Sequence, residues 1–237
     1  MSKPFKFKEF TVNQDRCAMK IGTDGVLLGT WTSLKHNPFN VLDIGAGTGV
    51  LSLIMAQRSN AQQIEAIEIE DNAFEQCSEN FENSPWNERL FCYHASLLEF
   101  VEEVEDTFDL IICNPPFYSE DYKTEDKTRD LARFNDAMPF RHIIYAVAHL
   151  LGQDGIFSTV IPKKEESSFI ELASSIGLSP KRILHVKGHP EAEIKRSLIE
   201  FSYHETAVKT SELIIETSRH NYTQDYIDLT KDFYLKM

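Results

Sequence analysis

The sequence predicts an α/β fold, a doubly wound and mostly parallel sheet covered by helices on both faces. Three observations carry that expectation. From residue 40 onward, short apolar runs alternate with longer amphipathic ones, the order that builds strand–helix–strand units. The run NVLDIG at 40–45 leads through a glycine-rich turn into the helical stretch VLSLIMAQR at 50–58. The run FDLIICN at 108–114 then stops at two prolines, which cannot donate to a β ladder.

The remaining elements follow in order. QIEAIEIE at 63–70 alternates with period two and reads as a strand. Asp71 is the expected N-cap of the next helix, whose Phe74, Cys77 and Phe81 share one face. LFCYHA at 90–95 and FDLIICN at 108–114 are the third and fourth strands, residues 139–151 a helix, and GIFSTVIP at 155–162 a fifth strand. SSFIELASSIG at 167–177 is a helix closed by glycine. KRILHVK at 181–187 and RSLIEFSYH at 196–204 bring the sheet to seven strands. The tail places aromatic residues or leucine at 222, 226, 229 and 233, the spacing of a docked amphipathic helix. Residues 118–136 have little apolar periodicity and are long for a core connection, which points to a mobile substrate loop.

Composition narrows the function. With 42% hydrophobic and 26% charged residues the 237-residue chain has a soluble, globular profile. No apolar run reaches membrane-spanning length and the N-terminus lacks a signal-peptide core, so a cytoplasmic location is expected. Cys17, Cys77, Cys92 and Cys113 form no CxxC pair, so reduced thiols are expected and no metal. A net charge of −13 counts against a protein that holds nucleic acid by a diffuse basic field. Two local patches, residues 1–20 and 181–196, each carry a net +3.

The turn LDIGAGTGV places Gly45, Gly47 and Gly49 between the first strand and its helix. Glycines there let the backbone turn sharply and approach a ligand. The dinucleotide pattern G-x-G-x-x-G would need its third glycine at 50, where this chain has Val50. Asp43 ahead of a GxGxG turn therefore suits a ligand without a pyrophosphate. Glu68, 25 residues after Asp43, is placed to accept hydrogen bonds from ribose hydroxyls; Glu70 lies further into the turn.

Asn114 should lie across the topological switch point from the first strand. Its side-chain oxygen is an acceptor, and Pro115 and Pro116 stiffen a turn with few competing donors. Phe117 adds a flat face for stacking. Such a site holds the hydrogens of a planar amine, which fits methyl transfer to a conjugated –NH2.

DIGAGTG, AIEIE and NPPF resemble the class I S-adenosylmethionine-dependent methyltransferases of exocyclic and amide amines, whose core is Rossmann-like. FKFKEFTVNQDRCAMKIGTDGVLLGTW, NSPWNERL and YTQDYIDLTKDFYLKM are similar to a narrower group, the bacterial enzymes that methylate the 6-amino group of adenosine 37 in valine tRNA. The resemblance covers nearly the whole chain. It implies one methyltransferase domain over 1–237, with residues 1–30 as an arm and cofactor-covering segment, and a sheet with one antiparallel strand. It implies S-adenosylmethionine as cofactor and tRNA as substrate, with no membrane and a monomeric state. Asp43, Gly45, Gly47 and Gly49 would meet the methionine portion, Glu68 the ribose, and Ser96 and Leu97 the adenine, while Lys20, Thr23 and Asp24 lie in the covering segment. Asn114, Pro115, Pro116 and Phe117 would form the catalytic pocket for the target base. The same chemistry on a protein glutamine amide, or on an adenine or guanine amine in rRNA or DNA, is the nearest alternative. A nicotinamide-dependent oxidoreductase is the alternative of a different class.

Overall fold

The computed structural model describes residues 3–116 and 139–237. Phe117 and the segment 118–136 lie outside the described residues. Among those described, eight strands form one sheet in the order β10-β8-β9-β7-β6-β3-β4-β5. They are β3 (Asn40–Ile44), β4 (Gln63–Glu68), β5 (Leu90–His94), β6 (Phe108–Cys113), β7 (Leu151–Pro162), β8 (Ser179–Lys187), β9 (Arg196–Ser202) and β10 (Lys209–Ile214). Within the sheet β9 alone runs antiparallel, against β7 and β8. The sequence predicts seven strands, and the eighth is β10. Its residues KTSELI bury only Leu213, so an edge strand with one core side chain shows no period-two signal.

Side chains alternate across the central strands and divide the core in two. Val41, Ile64, Leu110, Ile112 and Val160 face one cluster. That side is covered by α1 (Thr23–Trp31), α2 (Val50–Arg58), α3 (Asp71–Glu82) and α7 (Gln224–Thr230). Leu42, Ile44, Ile111, Phe157 and Ile161 face the other, covered by α4 (Leu97–Glu103), α5 (Phe140–Leu150) and α6 (Glu166–Ser174). Two-sided burial is what a parallel sheet requires.

Two helices have weak sequence signals. In α1 every residue from Gly25 to Trp31 is buried, so no polar face marks its period. α4 is a two-turn helix opened by a capping box between Ser96 and Glu99. The cap of α3 also differs from expectation. Glu70 is the N-cap and its carboxylate accepts from the Ala73 amide at 2.7 Å, while Asp71 is the first helical residue. The backbone is still extended at Glu70 and turns helical at Asp71, which leaves Asp71 in the first turn to interact with the helix dipole and with His94.

The N-terminal segment is tied down at both ends. β1 (Phe5–Lys6) and β2 (Thr11–Val12) form a hairpin. Phe7 bridges to Tyr234, and Lys8 donates to the carbonyls of Lys231 and Met237. In the tail, Tyr226 and Phe233 are buried and Leu229 packs on the core, as the spacing predicts, while Tyr222 stays on the surface against the Tyr226 ring.

Candidate active site

The site lies where the chain leaves β3 and β6, neighbouring strands whose helices cover opposite faces. Ile44 pairs with Cys113, so Gly45 and Asn114 leave the sheet side by side. This is the topological switch point, where open α/β sheets bind ligands.

Gly45, Gly47 and Gly49 all have positive φ, at 73°, 55° and 77°, the left-handed region that side chains disfavour. Their surroundings differ. A Cβ on Gly47 would meet nothing within 4 Å, whereas one on Gly49 would fall 2.6 Å from the Phe81 ring and 2.9 Å from the Cys77 sulfur. Gly47 is open toward the cleft, while Gly49 is required by packing against α3. The Gly45 and Ala46 amides both donate to the Ile67 carbonyl at 3.0 Å, which fixes the turn to β4.

Asp43 lies beneath the turn and is fully buried. Its Oδ2 accepts from the amide and the hydroxyl of Ser52, at 3.1 and 2.7 Å. Ser52 is the third residue of α2, and the N-cap Gly49 has no side chain. Asp43 thus supplies from the preceding strand the acceptor that a capping side chain usually provides. Burial pushes its carboxyl up to about 7, although the Ser52 hydrogen bonds oppose this. Its geometry makes Asp43 a positioning residue for the turn.

Glu68 joins the two loops. Its Oε2 accepts from the Gly47 amide at 2.7 Å, and its Oε1 from the amides of Ile69 and Glu70 at 2.9 and 3.0 Å. Ile69 beside it is 66% exposed, an apolar surface next to a carboxylate. Across from β4, His94 closes β5 and stacks on Phe74. The Ser96 hydroxyl accepts from the Glu99 amide and its own amide donates to Glu99, so both polar groups of Ser96 are engaged in the cap. The Leu97 amide begins α4, and the first amides of a helix have no intrahelical acceptor.

Residues 13–21 are strung along α3 toward this cleft. The Asn13 amide donates to Asn80 and the Arg16 amide to Gln76, each at 2.8 Å. Arg16 also pairs with Glu75 and Glu79. Buried Asn80 donates to the carbonyls of Asn13 and Thr48 at 2.9 Å, so one amide side chain holds the N-terminal segment to the glycine turn. Cys17 is near enough to Glu68 and Glu70 that burial and then those carboxylates push its thiol up to about 12. Lys20 is exposed and Thr23 begins α1. Asp24 accepts from Arg196 at 2.7 Å. A Cβ on the next residue, Gly25, would meet the Asn114 Nδ2 at 3.5 Å, so α1 is seated directly against Asn114. Asn114 is half-buried, Pro115 buried and Pro116 half-buried.

The structure therefore gathers Gly45, Gly47, Glu68 and Asn114 along one edge and brings Gly25 onto Asn114, with Asp24 beside it held by Arg196. Ser52, Gln76, Asn80 and Ile69 join them without prior sequence signal, because each acts through a contact distant in the chain or through exposure alone.

A doubly wound sheet with this turn, acidic strand end and Asn-Pro-Pro exit defines a class I methyltransferase. The model of the methyltransferase small domain family matches residues 25–177. A tRNA1(Val) (adenine(37)-N6)-methyltransferase of Flavobacterium johnsoniae is 59% identical over 98% of this chain and all of its own. The Christiangramia forsetii protein of the same name is 55% identical over all of this chain and 99% of its own. The chain belongs to the methyltransferase small domain family and, within it, to the family of these tRNA1(Val) (adenine(37)-N6)-methyltransferases. Among solved structures, a predicted O-methyltransferase from Agrobacterium tumefaciens is similar with a TM-score of 0.68 at 19% identity, covering 89% of this chain and 96% of that one. A putative RNA methyltransferase from Pyrococcus horikoshii gives 0.54 at 19% identity, covering 74% and 79%. Both bear on the fold.

Proposed function

We propose that this enzyme transfers the methyl group of S-adenosylmethionine to the exocyclic 6-amino group of adenosine 37 in tRNA1(Val). The observation that carries the reading is the placement of Asn114 beside the Gly45–Gly49 turn, in a chain whose full-length relatives bear that name. When bound, the cofactor supplies an electrophilic methyl on a sulfonium.

The residues present fit such a group. The space beyond Gly47 is open where a side chain would fill it. Glu68 offers a carboxylate for ribose hydroxyls, Ile69 an apolar surface for the adenine plane, and the Leu97 amide a donor for its edge. Asn114 Oδ1 and the Pro115 carbonyl accept the two hydrogens of the target amine and turn its lone pair toward the methyl. No strong base is needed, since the proton leaves after transfer. Orientation and preorganised acceptors carry the catalysis. An adenosine in an anticodon loop is extruded at a cost of at most a few kcal/mol. We read the whole chain as one such domain, a cytoplasmic monomer that needs no metal, with residues 1–30 as its arm and cofactor cover.

The test is incubation of a tRNA1(Val) transcript with labelled cofactor, followed by nucleoside analysis. Label in 6-methyladenosine that disappears when adenosine 37 is replaced by guanosine supports the reading. Label in protein alone overturns it.

A further inference from the structure

β7 does not stop where its neighbour stops. Cys113, the last residue of β6, pairs with Thr159, yet the β7–β9 ladder continues to Pro162 opposite Arg196. The β7–β9 pair therefore overhangs the Asn114 turn by three residues, about 10 Å at the usual strand rise. Its tip is basic. The Lys163 amide donates to the Lys195 carbonyl at 3.1 Å, which gathers Lys163, Lys164, Lys195 and Arg196 at one rim.

These four cations have different roles. Lys163 is paired with Glu166, which also receives His185 and Ser197. Arg196 is bound to Asp24 and braces the rim against α1. Glu165, next to Lys164, is half-buried. Lys164 and Lys195 are exposed, and among the described residues neither has an ion-pair partner. In a chain of net charge −13, two exposed lysines at the tip of the strand pair that overhangs the Asn114 turn leave a local cationic rim available to an anion.

We propose that the β7–β9 rim, through Lys164 and Lys195, holds RNA backbone phosphates flanking the extruded base. The proposal rests on the tRNA reading above and assigns the part of the molecule that grips the substrate. A point cation on a flexible stem suits a phosphate, and contacts of this kind position a nucleic acid without reading sequence.

The test compares the parent with Lys164→Gln/Lys195→Gln and with a control, Lys35→Gln/Lys209→Gln, which removes the same charge from two exposed lysines elsewhere. For the rim variant, KM for the tRNA1(Val) transcript should rise about tenfold, and the slope of log affinity against log salt should shrink by roughly 1 to 2. Its kcat at saturating tRNA and its affinity for S-adenosylhomocysteine should be unchanged. An unchanged KM and slope, or an equal loss in the control, overturns the rim proposal. A parent that binds S-adenosylhomocysteine yet neither binds nor methylates the transcript overturns the tRNA reading instead.

Discussion

Glu68 accepts the Gly47 amide at 2.7 Å, so the acidic end of β4 is bonded to a glycine of the turn that opens on free space. Glu68→Gln keeps the shape and removes the charge. A hydrogen bond to a charged group contributes about 1.5 to 3 kcal/mol, so affinity for S-adenosylhomocysteine should fall roughly 10- to 100-fold. Calorimetry finding unchanged affinity would remove Glu68 from the site.

Gly47 and Gly49 should separate under the same substitution. Gly49→Ala drives a methyl into Phe81 and Cys77 at positive φ, and should destabilise the fold by at least about 2 kcal/mol. Gly47→Ala meets no protein atom and should cost about 1 kcal/mol of backbone strain while blocking the ligand. Denaturant unfolding and cofactor calorimetry on both variants check this. Equal stability losses would mean that Gly47 also answers to packing.

Asp43 should leave a signature in stability against pH. Its folded-state carboxyl lies at about 7, above the ordinary value near 4. The stability linked to that proton is fully present below about pH 4 and is lost as pH rises through 7. Asp43→Asn should therefore unfold with a flatter pH dependence between about pH 5 and 7.5 than the parent. Parallel Tm profiles across that range would show that Asp43 does not titrate there.

The Asp24–Arg196 pair seats α1 beside Asn114. Arg196→Ala should lower kcat several-fold and leave cofactor affinity nearly intact, and Arg196→Lys should recover part of the loss. Loss of cofactor binding in proportion to kcat would point instead to general damage to the arm.

Much of this was readable in the sequence. The period-two runs and the glycine and proline stops located seven strands, and the strand ends placed Gly45, Glu68 and Asn114 on one edge. What was not readable depended partly on contacts distant in the chain and partly on where the backbone turns helical. Asp43 caps α2 because Gly49 cannot, and that needs both ends of the turn to be seen together. Ser96 and Glu99 close a capping box on α4 that the reading of Ser96 as a neighbour of the cofactor did not draw on. Glu70 is the cap of α3 because its backbone is still extended, whereas that of Asp71 is already helical. Asn80 gives no pattern of its own, since its value lies in joining Asn13 to Thr48. β10 and α1 escaped for opposite reasons, one too exposed to show a period and the other too buried.

The central claim is that the Asn114 turn holds the target amine for methyl transfer, and single-turnover methylation of the tRNA1(Val) transcript by Asn114→Ala tests it most directly. The rate should fall at least about 100-fold, the scale of losing one preorganised contact to the reacting group. Affinities for S-adenosylhomocysteine and for the transcript should stay near those of the parent. A variant that transfers the methyl at close to the parental rate would contradict the account.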